Sequence, residues 1–65
     1  MSPEIVIIIP ALNEEQSIGW VLKRIHKVFE KYSKSYHIVV VDGGSTDKTV
    51  EIARSMNAEV IFSKR

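Results

Sequence analysis

The sequence predicts an α/β fold: a three-stranded parallel sheet built in βαβαβ order, with strand order 3-2-1 and both helices on one face. Three observations carry this prediction. Two β-branched runs, Ile5-Val6-Ile7-Ile8-Ile9 and Ile38-Val39-Val40-Val41, end at turn-forming residues, Pro10 in the first and Asp42-Gly43-Gly44 in the second. Between them, apolar residues recur at three- and four-residue spacing (Ile18, Val21, Leu22, Ile25, Val28, Phe29 and Tyr32), with Lys23, Arg24, Lys27, Glu30 and Lys31 on the opposite side. Strands that alternate with helices pair in parallel through right-handed crossovers.

The first strand is expected over about residues 4–9, because β-branched side chains and a following proline both favour extended backbone. Asn13, with Gln16 three residues later, has the pattern of a capping box, and Glu14 and Glu15 complement the dipole of a first turn. A helix is therefore expected over about 14–32. The polar break Ser33-Lys34-Ser35 precedes a second strand over 37–42. Ser45 or Thr46 caps a second helix over 46–57, whose narrower apolar stripe is Val50, Ala53 and Met56 and whose stop is Asn57. Ala58 to Phe62 reads as the third strand, followed by the polar end Ser63-Lys64-Arg65.

Composition bounds what such a chain can be. Its 65 residues suffice for one compact unit, read as a single truncated domain over 1–65, and leave no room for a separate acceptor domain. An apolar share of 45% against 26% charged residues is a globular balance, although one core of this size contributes only about 3–5 kcal/mol. There is no cysteine, which removes disulfides and thiolate metal sites and fits a cytoplasmic location. A net charge of +1 offers no electrostatic case for nucleic acid or for an anionic membrane. The longest apolar run, Ile5 to Ile9, is too short to form a membrane-spanning segment.

Handedness adds a further expectation. In the order 3-2-1 both crossovers run the same way, so both helices cover one face of the sheet and leave the other bare. Yet the first two strands are apolar at consecutive positions, the pattern of strands covered on both sides. Val6 and Ile8, or their neighbours, need a cover, supplied either by later parts of a longer domain or by a second copy in a homodimer.

In open parallel sheets ligands bind beyond the carboxyl ends of the strands, where helix N-termini present free N–H groups to anions. Pro10 fixes the chain as it leaves the first strand, and Asn13 and Glu14 offer an amide and a carboxylate for ribose hydroxyls or a base edge. Asp42 offers an acceptor for a ring N–H, and Gly43-Gly44 lets backbone approach a ligand closely. Each has a purely structural alternative: Asn13 as a helix cap, Glu14 as a complement to the dipole, Asp42 as a turn residue bonding its own backbone. Ser45, Thr46 and Asp47 read as a cap and first turn. His26 and His37 lack partners at metal-ligand spacing and read as surface residues, so no metal site is expected. Trp20, off the apolar stripe beside Arg24, is a candidate interface anchor.

The segments Ile7-Ile8-Ile9-Pro10-Ala11-Leu12-Asn13-Glu14-Glu15 and Val39-Val40-Val41-Asp42-Gly43-Gly44-Ser45-Thr46-Asp47-Lys48-Thr49 resemble the opening motifs of family-2 glycosyltransferases of the GT-A fold, including the dolichyl-phosphate-sugar synthases. The resemblance covers nearly the whole chain. It implies the Rossmann-like half of a GT-A domain, a nucleotide-sugar donor of the UDP or GDP type, and transfer with inversion onto an acceptor such as a polyprenyl phosphate. It places Pro10, Ala11, Asn13 and Glu14 along the nucleoside and Asp42, with Gly43, by the base. Many members carry a second acid where Gly43 stands. The family's Asp-x-Asp metal motif and catalytic base follow a further strand and helix, so neither a catalytic residue nor a metal ligand is expected among these 65 residues, and Mg²⁺ or Mn²⁺ only in a full-length relative. The chain is therefore expected to bind a UDP- or GDP-type sugar nucleotide weakly, to be inactive alone and to form an oligomer, a dimer above all. A non-catalytic α/β module that dimerises through its bare sheet face is the alternative. A receiver-like phosphoacceptor is set aside, because Pro10-Ala11 stands where an acidic pair is required.

Overall fold

The computed structural model describes residues 3–32 and 35–63, so Ser33 and Lys34 of the polar break, and Lys64 and Arg65 of the polar end, lie outside the described residues. In chain order the elements are β1 (Ile5–Ala11), α1 (Ile18–Phe29) running into a 3₁₀ turn (Glu30–Tyr32), β2 (Tyr36–Asp42), α2 (Thr49–Ser55) and β3 (Glu59–Phe62). The strands form one parallel sheet in the order β1-β2-β3, with Ile9 opposite Val40, Ala11 opposite Asp42 and Val41 opposite Ile61. This is the α/β fold the sequence predicts.

Element boundaries move where long-range contacts override local signals. β1 runs on through Pro10 to Ala11, which an edge strand permits because the missing proline N–H faces away from the ladder, and Gly43 N–H extends the pairing onto Ala11 O at 3.0 Å. α1 begins at Ile18, four residues after the expected start, and Asn13 is not its cap. Asn13 adopts a left-handed φ of 51°, and the chain first turns helically where the Ser17 and Ile18 N–H groups donate to Glu14 O. α2 begins at Thr49 rather than residue 46, with Asp47 Oδ1 accepting the Thr49 N–H at 2.9 Å. The stop at Asn57 stands: its φ is 63°, its N–H bonds Arg54 O and the Ala58 N–H bonds Ala53 O, the paired bonds of a Schellman motif.

Ile18, Leu22, Ile38, Val40, Ala53 and Ala58 form the buried core between the helices and one sheet face, with Ile7, Ile9, Ile25, Ile52 and Val60 packed around it. Exposure along β1 alternates, so that Ile7 and Ile9 are half-buried while Val6 (53%) and Ile8 (66%) lie open. With Ile61 at 43% on the same side of β3, the second sheet face is bare and carries an apolar patch beside His37 and Glu59, which register puts on that side too.

The histidines differ from expectation. His26 is half-buried: its Nδ1 lies 2.6 Å from the Tyr36 hydroxyl and its Nε2 2.7 Å from Met56 O. A carbonyl only accepts, so Nε2 carries the proton, and the Tyr36 O–H donates to Nδ1. One side chain thus ties α1 to β2 and to the turn after α2. His37 pairs with Glu59 across the sheet, Nε2 to Oε1, at 2.6 Å.

Candidate functional site

The two loops at the carboxyl edge of the sheet, one after β1 and one after β2, are joined by reciprocal hydrogen bonds. From the first loop, the Asn13 N–H donates to Ser45 Oγ (2.8 Å), the Glu14 N–H to Thr49 Oγ1 (2.7 Å) and the Glu15 N–H to Asp47 Oδ2 (3.2 Å). From the second, the Thr46 N–H donates to Asn13 Oδ1 (2.8 Å) and the Lys48 N–H to Glu15 Oε1 (3.0 Å). This ladder explains the late start of α1, since the amides that a capping box would satisfy are held by side chains more than thirty positions away.

Asp42 organises the second loop from below. Fully buried at the end of β2, it accepts the Gly44 N–H (2.9 Å) and the Ser45 N–H (2.7 Å) on Oδ2 and the Ser45 hydroxyl on Oδ1 (2.5 Å). Burial alone raises its carboxyl, but the bonds from Ser45 and Gly44 outweigh burial and hold it below the ordinary carboxylate range. Gly44 makes the turn with a φ of 109°, open to glycine. Asp47 is held low chiefly by the Thr49 hydroxyl, with backbone N–H groups of Thr49 and Glu15 adding to it against some desolvation.

Of the expected site residues, the structure brings Pro10, Ala11, Glu14 and Gly43 together around an open cleft of about 720 Å³, whose remaining walls are Leu12, Val41 and Ser63. Asn13 stands to one side with Glu14, Glu15, Gln16 and Asp47, around a smaller depression of about 300 Å³. Asp42 does not line the cleft. Its carboxylate points under its own loop, the turn-residue alternative, so its part in the site as built is to shape the loop that carries Gly43. A Cβ on Gly43 would sit 3.8 Å from Ala11 O and 3.8 Å from Leu12 Cδ1, an ordinary contact distance. The missing side chain therefore widens the cleft and relieves no clash. Leu12, Val41 and Ser63 escaped the sequence reading, although the last two follow from register, since Val41 lies opposite Pro10 and Ser63 N–H bonds Asp42 O.

The loop amides that an anion would meet first are already taken. The amides of Asn13, Glu14, Glu15, Gly44, Ser45, Thr46, Lys48 and Thr49 all donate within the loops. Charge points the same way, because the two loops carry Glu14, Glu15, Asp42 and Asp47 against Lys48 alone. What the edge offers is a partly apolar slot with one carboxylate, Glu14, on its wall and no cation in its lining. A divalent cation does not fit these residues: the carboxylates of Asp42 and Asp47 are engaged by loop donors, and among the described residues no three acids or histidines gather as ligands.

A parallel α/β half-sheet with an open cleft at its carboxyl edge has the layout in which open α/β folds bind their ligands. Comparison with known proteins makes this specific. The sequence profile of glycosyl transferase family 2 matches residues 6–65, and the chain belongs to that family. It is 39% identical over 61 residues to the glucosyl-3-phosphoglycerate synthase of Petrotoga mobilis, covering 92% of this chain and 19% of that protein. It is 38% identical over 53 residues to the dodecaprenyl-phosphate galacturonate synthase of Rhizobium johnstonii, covering 82% of this chain and 16% of that protein. The crystal structure of glucosyl-3-phosphoglycerate synthase from Mycobacterium tuberculosis, in complex with Mn²⁺, UDP and glucosyl-3-phosphoglycerate, superposes with a TM-score of 0.75 at 32% identity, over 94% of this chain and 21% of that one. The chain thus spans about a fifth of the length of these relatives.

Proposed function

We propose that this chain is the donor-nucleotide-binding part of an inverting glycosyltransferase that uses a nucleotide-diphosphate sugar, and that these 65 residues alone hold the nucleoside without transferring the sugar. The observation that carries the reading is the cleft itself: Pro10, Ala11, Glu14 and Gly43 meet at the carboxyl edge of the sheet in a chain of family 2. Pro10, Leu12 and Val41 supply apolar wall for a base and ribose, and Glu14 accepts from a ribose hydroxyl or a ring N–H. Asn13 and Asp42 hold the loops in position, Asn13 through Thr46 and Asp42 through Gly44 and Ser45. With no carboxylate at Gly43, the base is read by shape and main chain on that side.

Among the described residues no three acids or histidines gather to hold a metal ion, in keeping with the proposal that the chain alone is inactive. A cytoplasmic location belongs to the same proposal and rests on the absence of cysteine. Among the described residues no helix is long and apolar enough to cross a membrane. The test is an NMR titration with uridine, guanosine, UDP and GDP, with and without Mg²⁺. Amide shifts at Leu12, Glu14 and Gly43 at millimolar ligand, similar for nucleoside and diphosphate and indifferent to Mg²⁺, are the expected result. An unshifted spectrum at millimolar UDP and GDP refutes nucleotide binding by this chain.

The bare sheet face favours a second reading, which holds whether or not a nucleotide binds: two copies pack through Val6, Ile8 and Ile61 in a homodimer.

A further inference from the structure

The net charge of +1 conceals a separation of charge. On the outer face of α1 and its 3₁₀ extension, opposite the core positions Ile18 and Leu22, lies a groove of about 450 Å³ lined by Trp20, Lys23, Arg24, Lys27, Val28 and Lys31. Its lining holds four cations, with Glu30 on the same side of the segment outside the lining. Among the described residues the ion pair is His37 with Glu59, so none of these four has an acid within 4.0 Å. Trp20 is 63% exposed, and the Arg24 guanidinium lies over its ring, 4.9 Å from the centroid. Val28, 45% exposed, lines the same groove two turns on, and Tyr32, 62% exposed, lies at the end of the segment outside the lining.

We propose that this face of α1 docks on a membrane surface rich in anionic phospholipid headgroups. The partner follows from the chemistry. Lysines along one face of a helix attract an anionic bilayer without inserting, and indole and phenol rings settle at the headgroup level, where an apolar body and a polar tip are both accommodated. A duplex would take the cations but leave Trp20 and Val28 in water. The apolar side of α1 is committed to the core, so the contact is peripheral. The groove lies on the helix layer, on the other side of the sheet from Val6 and Ile8.

Trp20 is the sole tryptophan, which makes it an internal reporter. The experiment mixes the chain with vesicles of phosphatidylcholine alone and of phosphatidylcholine with phosphatidylglycerol, and follows sedimentation, Trp20 emission and its quenching by brominated lipid. Binding at least about 10-fold tighter to the anionic vesicles is expected, with a blue-shifted, quenched Trp20. Raising salt to about 0.5 M should abolish the difference. Lys23→Glu with Lys27→Glu should weaken binding about 100-fold or more, and the milder Lys27→Gln with Lys31→Gln should weaken it in part, both with an unchanged circular dichroism spectrum. Equal binding to neutral and anionic vesicles would overturn the proposal and assign adsorption to the bare sheet face. So would an unquenched Trp20, or an emission shift that heparin reproduces in full.

Discussion

The amide of Glu14 donates to Oγ1 of Thr49 at 2.7 Å, joining residues 35 positions apart, and the same hydroxyl donates onward to Oδ1 of Asp47. Thr49 is fully buried, so this hydroxyl is the hinge pin between the loop that follows β1 and the start of α2. It also sets where Glu14 stands on the cleft wall.

Thr49→Val keeps the shape of the side chain but leaves the Glu14 amide without its acceptor. An unsatisfied donor in a part-buried position costs about 1–3 kcal/mol, so urea unfolding should show a loss of that size. Thr49→Ser keeps the hydroxyl and should retain more of the stability than Thr49→Val. The two variants separate the hydrogen bond from the packing.

These bonds also mark the limit of what was legible in the sequence. The strands were plain in Ile5 to Ile9 and Ile38 to Val41, because β-branching and the turn residues that follow are local properties. Asn57 was legible for the same reason, a left-handed stop being a matter of one residue and its neighbours. Asn13 misled because the capping box is also a local signal, while the partners that claim the amides of residues 13–15 come from the second loop. His26 misled likewise, since nothing near it in sequence announces Tyr36 or Met56. The cleft was half visible: strand ends pointed to Pro10, Glu14 and Gly43 and the family resemblance to Ala11, whereas the inward turn of Asp42 depends on the fold of Gly44 and Ser45.

Acid should loosen the cleft edge. The carboxyls of Asp42 and Asp47 are both held below their unfolded values, so their contribution to stability is complete above the unfolded pKa, about pH 4, and declines as pH falls toward the folded values. Urea midpoints measured from pH 7 to pH 3 should drop below about pH 4. Asp42→Asn should start from a lower midpoint at pH 7 and show a flatter acid limb. A variant with the same slope as the parent would mean that Asp42 is not a source of the acid sensitivity.

At the alkaline end the sign reverses. Burial first, and the charge of Glu30 second, push the Tyr36 hydroxyl above its ordinary value. Stability that depends on its neutral form is therefore complete below about pH 10 and is lost as pH rises through the folded value. Tyr36→Phe should remove much of this limb, at the cost of the hydroxyl that donates to His26. His26→Leu should cost about 1–3 kcal/mol at neutral pH, because it strands both the Tyr36 hydroxyl and the Met56 carbonyl. Guanidinium unfolding at pH 7 and pH 10.5, roughly half a unit above the unfolded tyrosine value, checks both.

Glu14 allows the site to be tested apart from the fold. Its amide holds the Thr49 contact, and its side chain lines the cleft exposed, so Glu14→Gln should leave stability within about 0.5 kcal/mol of the parent. The same change removes a charged acceptor for a ribose hydroxyl or ring N–H, and a hydrogen bond to a charged group contributes about 1.5–3 kcal/mol, so nucleoside affinity should fall about 10-fold or more. Gln16→Ala, on the neighbouring depression and outside the cleft, is the control and should leave affinity unchanged. If Glu14→Gln binds uridine and guanosine as the parent does, the cleft does not use this carboxylate, and recognition lies with the walls formed by Leu12 and Val41.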